Sequence, residues 1–195
     1  MKQICAVIGD YYHPEQWIRE ALESALKPGL EDGRWKLAYA SEKELPAVLN
    51  QKPDLVVLFK EDRVDPLVDP PTTWMTDEIG RMIADYVRSG GGWLGWHSGL
   101  ASYVLDSPFG EVLRGVFEYH PEEHQAVRYE GFEPADPGKP VSFEIVDEHY
   151  FVIIDEQNTN VFLRSGSVDG RSIGGWHHEF GQGRVCCLTP AHRRE

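Results

Sequence analysis

A histidine framed by glycines is the first residue in this sequence that could do chemistry. The stretch Ser89-Gly90-Gly91-Gly92-Trp93-Leu94-Gly95-Trp96-His97-Ser98-Gly99 passes from a glycine turn through a short apolar strand to a second glycine pair. Its Gly95-x-His97-x-Gly99 pattern fits a nucleophile elbow, where flanking glycines permit the sharp strand-to-helix turn that presents the central side chain above a sheet. The presented residue is His97, whose imidazole can act near neutral pH as general acid, general base or metal ligand. The competing reading is a structural histidine hydrogen-bonded under the sheet. Ser98 beside it could be a nucleophile, but the glycine two residues earlier is missing, so a helix N-cap is the better expectation.

The chain carries 8 histidines. His97, His120, His124, His149, His177 and His192, with Glu148 and Glu179, could converge on a divalent ion such as zinc or manganese. His120 and His124 stand four apart, as two ligands on one helical turn would, but Pro121 interrupts any helix there. No H-E-x-x-H or other specific metal signature is present. Spacing alone therefore favours surface or supporting histidines without a metal. Trp96, Trp176, Tyr103 and Tyr119 could stack on the apolar face of a sugar ring, although aromatic residues in strands more often fill a core.

These residues need a scaffold, and the hydropathy pattern predicts an α/β one. Gln3 to Gly9 reads as a first strand. After the Tyr11-Tyr12-His13-Pro14 turn, Ile18, Ala21, Leu22, Ala25 and Leu26 share one helical face, closed by Pro28-Gly29. Trp35 to Ala40 is a second strand. Ser41-Glu42-Lys43-Glu44 resembles a capping box, but Pro46 moves the helix start toward Leu45. The continuous run Asp54 to Phe59 suits a central parallel strand covered on both faces. A Pro- and Asp-rich loop, Lys60 to Thr73, follows where open α/β sheets place their binding crevices. Thr76 caps a helix with Ile79, Met82, Ile83, Tyr86 and Val87 on its buried face. Beyond Ser98 come short strand-like runs: Gln125 to Tyr129, Val141 to Val146, Phe151 to Ile154, Val161 to Ser165, Ser172 to Trp176 and Val185 to Leu188. Pro134 to Pro140 reads as a surface turn.

At 195 residues the chain suits one domain, residues 1 to 195, with one core. Hydrophobic residues at 41% and charged residues at 26% exclude disordered, collagen-like and coiled-coil chains. A formal charge of −13 repels phosphate backbones and anionic head groups, so nucleic acid and membrane surfaces are poor partners. The apolar N-terminal run meets Asp10 at once and is too short for a signal peptide. Cys5, Cys186 and Cys187 show no C-x-x-C spacing and read as buried small hydrophobes, the usage of a cytoplasmic protein.

Residues 90 to 98, Phe117-Glu118-Tyr119-His120-Pro121, Asp147-Glu148-His149-Tyr150, and Gly181-Gln182-Gly183-Arg184-Val185 leading to Ala191-His192 form four segments. Together they resemble the ThuA-like family, associated with trehalose utilisation. The resemblance runs roughly from Ile4 to His192. It implies a flavodoxin-like, class I glutamine amidotransferase-like fold: a three-layer sandwich with a mostly parallel central sheet, extended by antiparallel strands in the second half. Where glutamine-hydrolysing relatives carry a Cys nucleophile this chain has His97, so glutaminase chemistry is not expected. The family usually continues past its final His into a helix; a chain stopping at Glu195 could leave an apolar surface for a partner subunit, so a homo-oligomer is one expectation.

The resemblance also implies that Glu148 and Tyr150 face the crevice near the elbow, where Glu148 would set the His97 tautomer and raise its pKa. The expectation is a protein that binds or processes a small sugar-like molecule. His97 would be the acid/base residue and Glu148 its orienting partner, with Trp96, Ser98, His120, Tyr150 and His192 around the ligand. Metal-dependent hydrolysis through the His/Glu cluster and a non-catalytic binding or assembly module are the alternatives.

Overall fold

The computed structural model describes residues 1–192. Among these residues a nine-stranded mixed sheet runs in the order β2-β1-β3-β4-β11-β10-β9-β6-β7, and a separate antiparallel ribbon pairs β5 with β8. The parallel part is built from β1 (Lys2–Ile8), β2 (Trp35–Tyr39), β3 (Leu55–Phe59), β4 (Gly92–Trp96) and β11 (Gly183–Leu188). From β11 outward, β10 (Gly170–Phe180), β9 (Asn160–Ser167), β6 (Gln125–Glu133) and β7 (Asp136–Asp147) are all antiparallel. The sheet is thus evenly mixed rather than mostly parallel, because the long second-half strands join the main sheet instead of decorating it. The ribbon of β5 (Gly115–Tyr119) and β8 (Phe151–Ile154) stands apart.

Local chemistry explains the helices. Thr76 Oγ1 accepts the Ile79 N–H at the start of α3 (Asp77–Arg88), with Asp77 and Glu78 in the first turn. At α2 (Leu45–Asn50), Ser41 donates its backbone N–H and its hydroxyl to the Glu44 carboxylate, both at 2.8 Å, and Pro46 sits harmlessly in the first turn. Helix α1 (Glu15–Glu31) runs on past Pro28, beyond the closure expected at Pro28-Gly29, and α4 (Pro108–Leu113) is capped by Ser107. Residues 136 to 140, expected as a turn, begin strand β7 opposite β6.

Strand β3 is buried at four successive residues, Val56 to Phe59. Its side chains divide by the two-residue period: Val57 joins Ile4, Ala6 and Leu22 in one cluster, while Val56 and Leu58 join Ile83, Trp93 and Phe109 in another. Each fully buried large apolar side chain stabilises the fold by roughly 1.5–3 kcal/mol. A satellite cluster of Val127, Tyr129, Phe162 and Leu163 holds the antiparallel half. All three cysteines are unpaired, with Cys5 and Cys187 buried. Among the described residues no helix is long and apolar enough to cross a membrane.

Candidate metal centre

The carboxyl ends of β1, β3, β4 and β11 open onto one crevice, as open α/β sheets require. Strand β1 exits into Asp10, whose Oδ1 accepts the backbone N–H groups of Tyr12 and His13, both at 3.0 Å, and the His13 Nδ1–H at 2.6 Å. This Asx-type turn aims His13 Nε2 inward, to 2.9 Å from His192 Nδ1. The other Asp10 oxygen accepts Ser98 Oγ at 2.6 Å and the Glu61 N–H at 3.1 Å. Burial alone would raise the Asp10 carboxyl, but the bonds from His13 and Ser98 outweigh it and hold it below its usual range.

Strand β4 delivers His97 at the elbow, in the left-handed region at φ 47° and fully buried. Gly99 is needed here: a Cβ on it would lie 2.1 Å from the Leu58 carbonyl oxygen. The turn that follows is a single 3-10 turn, His97–Leu100, and Ser98 does not cap it, since its hydroxyl is committed to Asp10. His97 Nδ1–H donates to the Thr189 carbonyl at 2.7 Å, which leaves Nε2 as the unprotonated nitrogen of the neutral ring. That nitrogen is buried without a hydrogen-bond partner, 3.6 Å from Glu148 Oε2. Burial pushes the His97 pKa down despite the Glu148 carboxylate. Both expectations for the pair are therefore corrected: Thr189 sets the tautomer, and desolvation outweighs the neighbouring charge.

Glu148 lies between β7 and β8, and His192 just beyond β11; their contact is 3.1 Å, from His192 Nδ1 to Glu148 Oε2. Burial would raise the Glu148 carboxyl, yet His192 and His97 hold it well below the usual carboxylate range. Asp147, fully buried, fixes both residues. Its Oδ1 accepts the N–H groups of His192 at 2.8 Å and Glu148 at 3.0 Å, and its Oδ2 accepts that of Ala191 at 2.7 Å. One ligand atom each from His13, His97, Glu148 and His192 lies within 4.8 Å of the others.

Around this centre, His120 Nε2 and His124 Nε2 stand 3.7 and 3.8 Å from Glu148 Oε1. His120 Nδ1–H donates to Pro121 O at 2.7 Å. A cavity of about 290 Å³ opens here, with His13, Ser98, His120, Glu148 and Tyr150 in its wall. The Tyr150 ring stacks on His97 at 4.2 Å and 23°. Other sequence candidates lie elsewhere. Trp96 is not in this wall: its Nε1 donates to Pro190 O at 2.8 Å and its ring packs on Phe59. His149 bonds Ser165 and Ser167, His177 packs near Phe162, and Glu179 is exposed on β10. Trp176 and Tyr103 are core residues, and Tyr119 stacks on Phe151. Sequence reasoning missed Asp10, His13 and Asp147; the signal was Asp10-x-x-His13 directly at the carboxyl end of the first strand.

Comparison with known proteins places this arrangement. The model of the ThuA family, described as trehalose utilisation, matches residues 11–195. The chain belongs to the ThuA family. A ThuA-like protein from Bacteroides uniformis superposes with TM-score 0.69 at 18% identity, covering 100% of this chain and 83% of that one. A ThuA-like protein from Parabacteroides merdae gives 0.68 at 13% identity, covering 98% and 80%. The cold-adapted β-galactosidase from Rahnella sp. R3 gives 0.65 at 12% identity, covering 99% of this chain but 29% of that one. At these identities the structural likenesses establish the fold alone. No curated protein matches significantly. In this ThuA family member the elbow position is held by His97 and not by a cysteine.

Proposed function

We propose that this ThuA family member holds a divalent ion, zinc or manganese, between His13 Nε2, His97 Nε2, His192 Nδ1 and the Glu148 carboxylate, and acts there on a small sugar-like molecule. The observation that carries this reading is His97 Nε2. A fully buried imidazole nitrogen, its tautomer fixed by Thr189, is aimed at three other ligand atoms and lacks a partner. An unsatisfied buried acceptor costs about 1–3 kcal/mol, which an ion would offset. Three imidazole nitrogens and one carboxylate suit zinc or manganese. Such an ion would supply a Lewis acid that polarises a bound oxygen or activates water.

The chain's own residues do the rest. Asp10 and Thr189 hold the two ring tautomers. His120, with Nδ1–H tied to Pro121, turns Nε2 toward the cavity as a proton acceptor and donor for a bound molecule. Phe117 and Tyr150, ring centroids 4.3 Å apart, offer an apolar wall to a sugar ring. The trehalose-utilisation description of the family supports a sugar. The two clusters on opposite sides of β3 support the three-layer arrangement of amidotransferase-like folds and a single domain, and we take the protein to be cytoplasmic.

A second reading has its own observation. The contacts His13–His192 at 2.9 Å and His192–Glu148 at 3.1 Å are also hydrogen-bond lengths, which suits a metal-free acid/base cluster. Elemental analysis of tag-free protein, dialysed after exposure to zinc and manganese, separates the two. Near-stoichiometric metal in wild type that is lost in His97→Ala and His13→Ala supports the metal centre. Absence of metal from the wild type sinks it and leaves the proton-sharing cluster.

A further inference from the structure

The cavity beside the proposed centre is polar where it is buried and aromatic where it opens. His13 and Ser98 are buried in its wall with Glu148 beside them, whereas the most exposed residue of that wall is Tyr12, at 47%. Tyr11 packs edge-on against Tyr12, ring centroids 5.0 Å apart, and is itself 55% exposed. Arg63 stands over the Tyr12 ring, its guanidinium carbon 6.0 Å from the centroid. Its charge is met by buried Glu61, whose Oε2 accepts Arg63 Nε at 2.8 Å and Nη2 at 2.7 Å. Val64, the next residue, is 53% exposed and adds to the apolar surface there. The Tyr12 backbone is fixed by the turn that aims His13 at the centre: Asp10 Oδ1 accepts the Tyr12 and His13 N–H groups, both at 3.0 Å.

Two adjacent half-exposed tyrosine rings at the entrance of a site are surface that an apolar group would remove from water. The cavity, at about 290 Å³, has room for one sugar-sized unit, so anything else that a ligand carries lies at this entrance. We propose that Tyr12, supported by Tyr11 and Val64, is the subsite for an apolar aryl or alkyl group joined to the sugar-like head, so that the ligand is an amphiphilic glycoside. This rests on the reading that the centre acts on a sugar-like molecule, and it gives Tyr12 no part in the chemistry.

The test titrates phenyl β-D-glucoside, methyl β-D-glucoside, maltose and phenol by calorimetry into zinc-loaded and metal-free protein. Wild type is expected to bind the phenyl glucoside at least about tenfold more tightly than the methyl glucoside, as covering the exposed part of one tyrosine ring allows. Tyr12→Ala should bring that ratio close to one at unchanged zinc content, because the backbone N–H that Asp10 accepts remains. Tyr12→Phe should keep the preference, and Tyr11→Ala should reduce it less. Equal affinity for the two glucosides, binding of neither by the wild type, or a preference that survives Tyr12→Ala overturns the subsite even if zinc is bound. Maltose binding as tightly as the phenyl glucoside, with the same dependence on Tyr12, overturns it in favour of a second sugar ring. Phenol binding as tightly as the phenyl glucoside overturns the sugar-like head on which the proposal rests. A Tyr12-dependent phenyl preference in a wild type that takes up no zinc keeps the subsite and overturns the metal centre.

Discussion

Asp147→Asn should uncouple His192 from the centre. The carboxylate accepts backbone N–H groups from Ala191 at 2.7 Å and from His192 at 2.8 Å, one on each oxygen. Asparagine keeps one acceptor oxygen; wherever its amide points, one N–H loses its partner and faces another donor. Losing one hydrogen bond to a charged group costs about 1.5–3 kcal/mol, and stranding the N–H adds to it, so about 3 kcal/mol is expected. Ala191 sits at φ 85°, a strained conformation for an alanine, so the segment has every reason to relax once released. Re-ordering His192 at that cost raises the zinc dissociation constant about 100-fold, at 1.4 kcal/mol per tenfold. Competition with a chromophoric chelator measures it, with the thermal midpoint as a folding control. Because Asp147 acts through His192, Asp147→Asn combined with His192→Ala should be little worse than His192→Ala alone. A dissociation constant within about threefold of wild type, or fully additive losses, would refute the reasoning.

Other perturbations test the elbow and the fold. Gly99→Ala drives a Cβ against the Leu58 carbonyl oxygen at 2.1 Å, so it should cost about 1–3 kcal/mol or more and lower zinc content; wild-type melting and stoichiometry would contradict this. Ser98→Ala removes one of the Asp10 hydrogen bonds and should leave turnover on any substrate found within about tenfold, whereas complete loss would restore a serine nucleophile. His178, buried and next affected by Arg114, is held down to about 4 from an ordinary 6.5. The unfolded chain therefore binds the extra proton first. The neutral ring's contribution is complete above 6.5 and is lost as pH falls through about 4, a difference of about 3 kcal/mol at 1.36 kcal/mol per pH unit. Urea titrations at pH 7 and 4 should show a smaller acid loss in His178→Gln than in wild type, and parallel losses would reject the assignment.

Local signals fixed what local physics controls. The alternation of apolar runs with helical periodicity, the Thr76 cap, the Ser41/Glu44 contact and the glycines at the elbow are short-range features, and each is legible residue by residue. The family was legible too, because its segments are contiguous. His97, Glu148 and His192 could be named because their neighbours in sequence mark them. Tertiary structure decided which of the histidines meet. His13 enters the centre only because β1 pairs in parallel with β3, which in turn pairs with β4, so that their carboxyl ends share a crevice. His149 leaves it because it hydrogen-bonds Ser165 and Ser167 instead. The even mixture of parallel and antiparallel strands likewise depends on pairings between residues far apart in the chain, such as Arg184 with Gly92. Spacing along a sequence cannot report such pairings, because a ligand set assembled from four strand ends has no fixed interval; burial and the hydrogen bonds of Asp10, Asp147 and Thr189 bring it together only when the sheet closes.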